Sequence, residues 1–178
     1  MPGVLAQLRQ TIVSRNKEVV TKLYKVFTRP ILESAVVAWY PWERQDINML
    51  EKVQRRATKL VPGIGRMDYE DRLKVCDLTT LERRRERGLM IETYKLLNGF
   101  TKMDTSDFFQ FMKDRHELST RSVVNRSLVA EKCRLDVRKF FFTNRVTGAW
   151  NNLPLDVREA SSVNSFKNKY DEYLKKVV

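Results

Sequence analysis

The residues that could carry out acid–base, metal or nucleophilic chemistry are few in this sequence and scattered along it. Two-metal phosphoryl transfer needs carboxylates that converge on one point. The neighbouring acids Glu70-Asp71 and Asp171-Glu172 fall on predicted helices, where adjacent side chains diverge by about 100°, so ion pairs with nearby basic residues explain them better. The single histidine, His116, is predicted to lie at the surface of a loop, without a motif for Ser-His-Asp or Cys-His catalysis.

Metal and phosphate-loop motifs are missing as well. Cys76 and Cys133, together with His116, are too few for a zinc site or a disulfide framework. The turn at Pro62–Gly65 (PGIG) lacks the Lys and Ser/Thr that follow the glycines of a P-loop. We therefore expect no metal, no cofactor and no enzymatic activity from this chain alone. The cysteine usage predicts a reducing, intracellular setting, nuclear or cytoplasmic.

Basic residues give the clearest functional signal, above all in the segment Leu50–Gly63 (LEKVQRRATKLVPG). On a helical projection, one arc of about 100° holds the apolar residues Leu50, Val53, Ala57, Leu60 and Val61. A second arc of similar width holds the cations Lys52, Arg55, Arg56 and Lys59. Glu51 is the only nearby anion, four residues before Arg55, and the other three cations lack acidic partners at i, i+4. The pattern therefore favours a binding surface over an ordinary solvated face.

A second basic cluster opens the next predicted helix, for which Thr79 is the predicted N-cap and Glu82 its capping-box partner. Its first turns carry Arg83, Arg84, Arg85 and Arg87. The helix dipole disfavours cations at this end, so a bound phosphate chain would offset the cost. The predicted nucleic-acid-binding residues outside Leu50–Gly63 are Arg83, Arg84, Arg87, Arg134, Arg138 and Lys139. The lysines of the last helix are expected to matter less, because that helix end frays.

The charge of the whole chain predicts the same class of partner. In 178 residues, 34 Lys and Arg stand against 22 Asp and Glu, which gives a net charge of +12. A surplus of this size indicates a polyanionic ligand, most commonly nucleic acid. No apolar run approaches the ~18–20 residues needed to span a bilayer, so a membrane partner is not expected. The N-terminal residues do not form the pattern of a signal peptide.

Helical periodicity runs through most of the chain and predicts an all-α fold, an irregular bundle of about seven helices in two small lobes. In the first half, Val4–Val13 and Lys17–Phe27 are predicted helices separated by a capping break at Ser14–Asn16. Pro30 is expected to kink or restart a helix that continues through Tyr40 in the core. Asp46 is the predicted N-cap of the basic helix. Further helices are predicted at Asp68–Val75 and from Thr79 to the stop at Asn98-Gly99.

The second half is less regular. Phe100–Lys132 is predicted to be mostly a long loop. A short extended segment is expected around Leu135 and Val137, followed by a helix that Pro154 ends and a last helix capped by Ser162. Four large aromatic residues could stack on bases, namely Tyr24, Trp39, Trp42 and Trp150. We expect core packing instead, because all four lie in apolar stripes; Trp42, between Pro41 and Glu43, is the best exception.

Four segments together resemble the C-terminal part of jockey-like non-LTR (LINE-type) retrotransposon reverse transcriptases. They are Leu23–Pro41 (LYKVFTRPILESAVVAWYP), Glu51–Gly63 (EKVQRRATKLVPG), Tyr69–Gly88 (YEDRLKVCDLTTLERRRERG) and Arg134–Pro154 (RLDVRKFFFTNRVTGAWNNLP). Their order and spacing are those of the family, and the match covers nearly the whole chain. The sequence departs from the family at Ser34, commonly Tyr, and at Tyr40, often Ser. It also lacks the cysteine-histidine knuckle that some members carry.

This resemblance implies a thumb-like helical lobe at 1–99, which grips a template–primer duplex, and a basic C-terminal helical lobe at 100–178. The implied function is sequence-tolerant binding of RNA or DNA, beside a palm-containing polymerase part. The RNA-directed DNA polymerase activity of the family is not carried over, because the four segments do not include the catalytic palm. The alternative is a domesticated, transposon-derived scaffold for protein–protein interactions. The chain is accordingly expected to be either a fragment or a host gene derived from the element.

Overall fold

The computed structural model describes residues 16–112 and 126–177, and the described chain is helical. Within these ranges it contains no strand, and its one β-type pairing is an isolated antiparallel bridge between Phe111 and Leu128. The predicted all-α class is therefore confirmed. The predicted helix at Val4–Val13 and the predicted surface position of His116 lie outside the described residues.

The chain packs into two compact units, Met1–Gly88 and Leu89–Val178. The division falls inside a long helix, whereas the sequence predicts a lobe boundary after Gly99. The thumb-like lobe at 1–99 and the basic C-terminal lobe at 100–178 stay a prediction.

The first unit begins with a helix that changes its winding before Pro30. Helix α1 (Lys17–Leu23) is capped by the Asn16 side chain, which accepts the Glu18 N–H at 3.1 Å, as the capping break predicted. A π-helical turn follows (Tyr24–Thr28), and then α2 (Arg29–Glu33) carries Pro30 in its first turn. Proline has no N–H to donate to a carbonyl oxygen of the preceding turn. The wider π-helical winding therefore lies where the regular α-helical hydrogen bond would be lost.

Helix α2 ends at Glu33, so the prediction of a buried helix through Tyr40 is wrong. Ser34 is extended and donates its hydroxyl to the Ile31 carbonyl oxygen at 2.8 Å, and Ala35 adopts a left-handed conformation with φ 51°. These two residues turn the chain. Of the segment after the turn Val36 is buried, but Trp39 is 53% exposed.

Three helices complete the unit or lead out of it: α3 (Arg44–Lys59), α4 (Tyr69–Val75) and α5 (Leu81–Leu97). Two predicted caps are wrong. Helix α3 starts two residues before Asp46, which therefore lies in the first turn. At the start of α5 the Thr80 hydroxyl accepts the Arg83 N–H at 3.3 Å, so the cap is Thr80 and not Thr79.

The stop at Asn98-Gly99 is confirmed. Gly99 has φ 71°, and the Phe100 N–H donates to the Lys95 carbonyl oxygen at 2.9 Å, the bond of a Schellman motif. This geometry satisfies carbonyl groups that the end of α5 would otherwise leave without donors.

The second unit continues after α5 with a 3-10 turn (Thr105–Asp107) and four helices. These are α6 (Asp136–Lys139), α7 (Phe142–Asn151), α8 (Leu155–Arg158) and α9 (Val163–Val177). The predicted extended segment is wrong at Val137, which lies inside α6. Leu135 is extended, but as the cap residue of α6, whose carbonyl oxygen accepts the Lys139 N–H at 3.0 Å. No strand among the described residues supplies a ladder partner, so local helical bonds satisfy the backbone.

Aromatic rings form the core of the second unit. The Phe166 ring stacks on Tyr94 with centroids 4.4 Å apart and on Tyr170 at 5.7 Å. Trp150 is buried as predicted, and its indole N–H donates to the Arg126 carbonyl oxygen at 2.9 Å. The predicted cap of the last helix is confirmed, since the Ser162 hydroxyl accepts the Ser165 N–H at 3.1 Å.

Candidate nucleic-acid interface

The outer face of α3 carries cations and no exposed acid. Its exposed residues are Arg44, Gln45, Asn48, Met49, Lys52, Arg55, Arg56 and Lys59. We call Lys52, Arg55, Arg56 and Lys59 the basic stripe. None of these four forms an ion pair with any residue in the described ranges, so their charges are available to an external anion.

The inner face of α3 is more polar than the sequence predicted. Ala57 is buried, but Leu50 and Val53 are only partly so, and the other buried positions of the helix are Glu51, Gln54 and Thr58. Glu51, which the sequence suggested as a neighbour of the exposed cations, is only 6% exposed. The central acidic residue of α3 is therefore buried and does not lie on the outer face of the helix.

Gln54 is the centre of a buried hydrogen-bond network. Its side-chain oxygen accepts the Tyr24 hydroxyl at 2.7 Å. Its amide group donates to the Tyr69 hydroxyl and to the Thr79 carbonyl oxygen, both at 2.9 Å. Burial raises the pKa of the Tyr24 hydroxyl far above its ordinary range. Gln54 also donates to the Glu51 carboxylate at 3.2 Å, so the network ties the π-helical turn, α3, α4 and the segment before α5 together.

Glu51 extends this network to the first residue of α5. Its carboxylate accepts the Tyr69 hydroxyl and, at 3.0 Å, the Leu81 N–H. Burial is the largest cause that raises the pKa of Tyr69, and the hydrogen bond to Glu51 raises this pKa further. The carboxylate lies at the positive end of the α5 dipole, where an anion is stabilising. The arginines that follow are therefore partly compensated from within the chain.

The arginine cluster at the start of α5 divides into structural and exposed members. Arg84 forms a two-pronged ion pair with Glu33, and buried Arg85 donates to the carbonyl oxygens of Leu32 and Trp39. These bonds hold α5 against the chain that leaves α2. Glu33 and Glu51 therefore offset part of the cluster's charge from within the chain, and the expected phosphate contact of the cluster stays a prediction. Arg83 is exposed and forms no ion pair within the described residues.

Arg87 is half-buried, and Glu82 pairs with Arg44 at 3.1 Å instead of completing a capping box. The remaining predicted cations are exposed and belong to the second unit. Among them, Arg138 pairs with Glu131 at 2.6 Å, Lys139 lies 5.5 Å from the Phe140 ring, and Arg134 forms no ion pair with a described residue. Of the predicted set, the structure thus brings together the four residues of the basic stripe on one helix face.

Sequence reasoning missed the residue that supports Arg55. The Arg55 guanidinium carbon lies 4.4 Å from the centroid of the Tyr69 ring, a cation–π contact. Because Tyr69 is itself held by Glu51 and Gln54, Arg55 is oriented from the core outward. Nothing local to Tyr69 signals this, since its partners come from a different helix.

Neither metal chemistry nor a membrane span is indicated by the part of the chain that the structure describes. It contains no cluster of three or more His, Cys, Asp or Glu side chains that could share a metal ion. None of its helices combines the length and the apolar character that crossing a membrane requires. Comparisons with protein-family models, curated proteins and solved structures give no match for this chain.

Proposed function

We propose that this chain binds RNA or DNA without reading its sequence, through phosphate contacts of the basic stripe. The observation that carries the proposal is the basic stripe itself: four exposed cations of α3 that form no ion pair within the described residues, on a helix face that carries no exposed acid. Lys and Arg neutralise phosphates and release counterions, and such contacts give affinity without sequence preference.

The support of α3 lowers the cost of binding. The stripe stands on a helix fixed by a buried network, so little backbone ordering opposes association. Lys52 and Lys59 are separated by about 10 Å along the axis, at 1.5 Å per residue. That length faces about three phosphates of one duplex strand at 3.4 Å each. The resemblance to the thumb of LINE-type reverse transcriptases supports the same proposal.

A protein–protein scaffold is the alternative, and one observation favours it. Val26, Phe27 and Ile31 are each more than half exposed on the segment from the π-helical turn into α2. Apolar side chains grouped in this way suit a protein partner. Because burial of apolar surface is little affected by salt and phosphate contacts are weakened by it, salt dependence separates the two functions.

The test compares two variants that each remove two exposed charges. Arg56→Gln/Lys59→Gln changes the basic stripe, and Lys175→Gln/Lys176→Gln changes the end of α9. Dissociation constants for a labelled duplex of about 20 base pairs would be measured by fluorescence anisotropy at low salt. We expect the stripe variant to bind about ten-fold or more weakly and the α9 variant to bind nearly as the parent does. Equal losses in both would show diffuse attraction and overturn the role of the stripe.

A further inference from the structure

Two large aromatic side chains are exposed just before the basic helix. Trp39 is 53% exposed and Trp42 is 46% exposed, whereas Trp150 is buried in the second unit. The sequence predicts that Trp39 packs in the core. It is exposed because the chain turns after α2, at Ser34 and Ala35, and the helix expected to bury Trp39 does not continue to that residue.

The backbone around Trp39 is fixed at both ends. Its N–H donates to the Ala35 carbonyl oxygen at 2.8 Å, and its own carbonyl oxygen accepts from Arg85. Pro41, two residues after Trp39, is buried, and the residue before it, Tyr40, is kept in extended conformations. Trp39 and Trp42 are therefore exposed on a backbone segment that is already fixed, so little conformational entropy is lost when a ligand binds.

One face of the Trp39 ring is already covered by a cation. The Arg85 guanidinium carbon lies 4.8 Å from the ring centroid, and Arg85 is only 2% exposed. A ligand ring can therefore stack on Trp39 only from the side away from Arg85. A flat aromatic face of this kind accepts the ring of an unpaired nucleobase, and base–aromatic stacking tolerates any base.

The surrounding charges suit the backbone of such a strand. Arg83 is exposed, and the Arg44 side chain is 73% exposed while it pairs with Glu82. The basic stripe starts at Lys52, about 12 Å along α3 from Arg44 at 1.5 Å per residue. Phosphates can therefore follow α3 while a base leaves the strand towards the tryptophans.

We propose that Trp39 and Trp42 form a stacking site for unpaired nucleobases at the N-terminal end of α3. The chain then binds single-stranded or overhanging nucleic acid more tightly than a flush duplex. This inference rests on the proposed function and adds to it the kind of nucleic acid that is preferred. A stacked base strengthens binding by about five-fold or more.

The experiment titrates the chain with a single strand of about 20 thymidines and with a flush hairpin that has the same number of phosphates. The single strand is expected to bind at least five-fold more tightly and to quench tryptophan fluorescence. Trp39→Leu/Trp42→Leu is expected to abolish this preference and leave hairpin affinity unchanged, and Trp39→Phe/Trp42→Phe to restore part of it. Phe27→Leu, which changes another aromatic ring that is 53% exposed, is the control and should keep the preference.

Each other result has a definite meaning. Equal affinity of the parent chain for strand and hairpin, or a preference that persists in Trp39→Leu/Trp42→Leu, overturns the stacking site alone. Failure of the chain to bind either ligand at low salt overturns both the stacking site and the proposed function. Circular dichroism of the leucine variant separates a lost site from lost folding, because both side chains are about half exposed and are not part of the core.

Discussion

At the scale of residues, Glu51 links the fold to the binding face. Its carboxylate accepts three bonds, from the Tyr69 hydroxyl, the Gln54 amide and the Leu81 N–H, and its burial leaves the outer face of α3 without a central acid. The same side chain thus stabilises the start of α5 and keeps the basic stripe uncompensated. A buried acceptor of this kind is costly to remove, because its donors lose their partner and cannot reach water.

Replacing Glu51 by Gln tests that statement. The amide keeps only one of the two carboxylate oxygens, so at least one of the three donors loses its acceptor, and we expect the free energy of unfolding to fall by about 1–3 kcal/mol. Urea denaturation followed by circular dichroism measures the change. Glu70→Gln, at an exposed position of α4, is the matched control and should shift stability by less than about 0.5 kcal/mol. Equal effects of the two substitutions would contradict the assigned role of Glu51.

Tyr24 gives a prediction about alkaline pH. Its folded-state pKa is raised above the ordinary value of 10.0 by burial, so the folded state keeps a proton that the unfolded state loses. The associated stability is complete below about pH 10 and is lost as the pH rises further, by about 1.4 kcal/mol per pH unit.

Tyr24→Phe should therefore be less stable at pH 8, because the Gln54 oxygen loses its donor, but its stability should fall less steeply above pH 10. Urea midpoints between pH 8 and 11 compare the two slopes. Parallel curves for the parent and Tyr24→Phe would exclude this source of pH dependence.

The basic stripe could be predicted from the sequence, because helical periodicity alone decides that Lys52, Arg56 and Lys59 share a face. The burial of Glu51 could not. Its partners Tyr69 and Leu81 lie 18 and 30 residues away in sequence, and the same periodicity places a glutamate next to cations, where an exposed ion pair is the ordinary expectation.

At the scale of elements, helix ends were predictable where one residue decides them. Asn16, Gly99 and Ser162 act through short-range bonds that their side chain or their backbone makes possible. The end of α2 was missed because nothing in the apolar run after Ser34 signals a turn. The guanidinium of buried Arg85 donates to backbone carbonyl oxygens and holds that turn. Arg85 lies 46 residues beyond Trp39 in the sequence.

Two glycines with opposite roles test the account of these ends. Gly99→Ala places a side chain at φ 71°, which costs about 1 kcal/mol although no atom lies within 4 Å of the added carbon. Gly148→Ala adds the same carbon inside α7, also with open space, and should stabilise by about 0.5–1 kcal/mol through helix propensity. Urea denaturation of both gives the signs. Changes of the same sign would show that backbone conformation does not decide them.

At the scale of the whole molecule, the net charge of +12 predicts attraction to any polyanion and says nothing about where it binds. The structure reduces the number of cations that are available to a ligand, because several of them form contacts within the chain. Arg85 is buried, Arg84 pairs with Glu33 and Arg138 pairs with Glu131. A localised binding surface and attraction by cations spread over the whole protein surface differ in the number of phosphates that they neutralise.

The salt dependence of duplex binding counts those phosphates. Each one neutralised contributes about −0.9 to the slope of log affinity against log salt concentration. The four cations of the basic stripe, with exposed Arg83, should therefore give a slope between about −3.5 and −4.5, measured by anisotropy from about 50 to 400 mM salt. Arg56→Gln/Lys59→Gln should make the slope shallower by about 1.8, and Lys175→Gln/Lys176→Gln should leave it unchanged. A slope steeper than about −8 would mean that most of the chain's surplus charge contacts the ligand. A slope near zero would favour the protein–protein scaffold, because an apolar interface releases no condensed counterions.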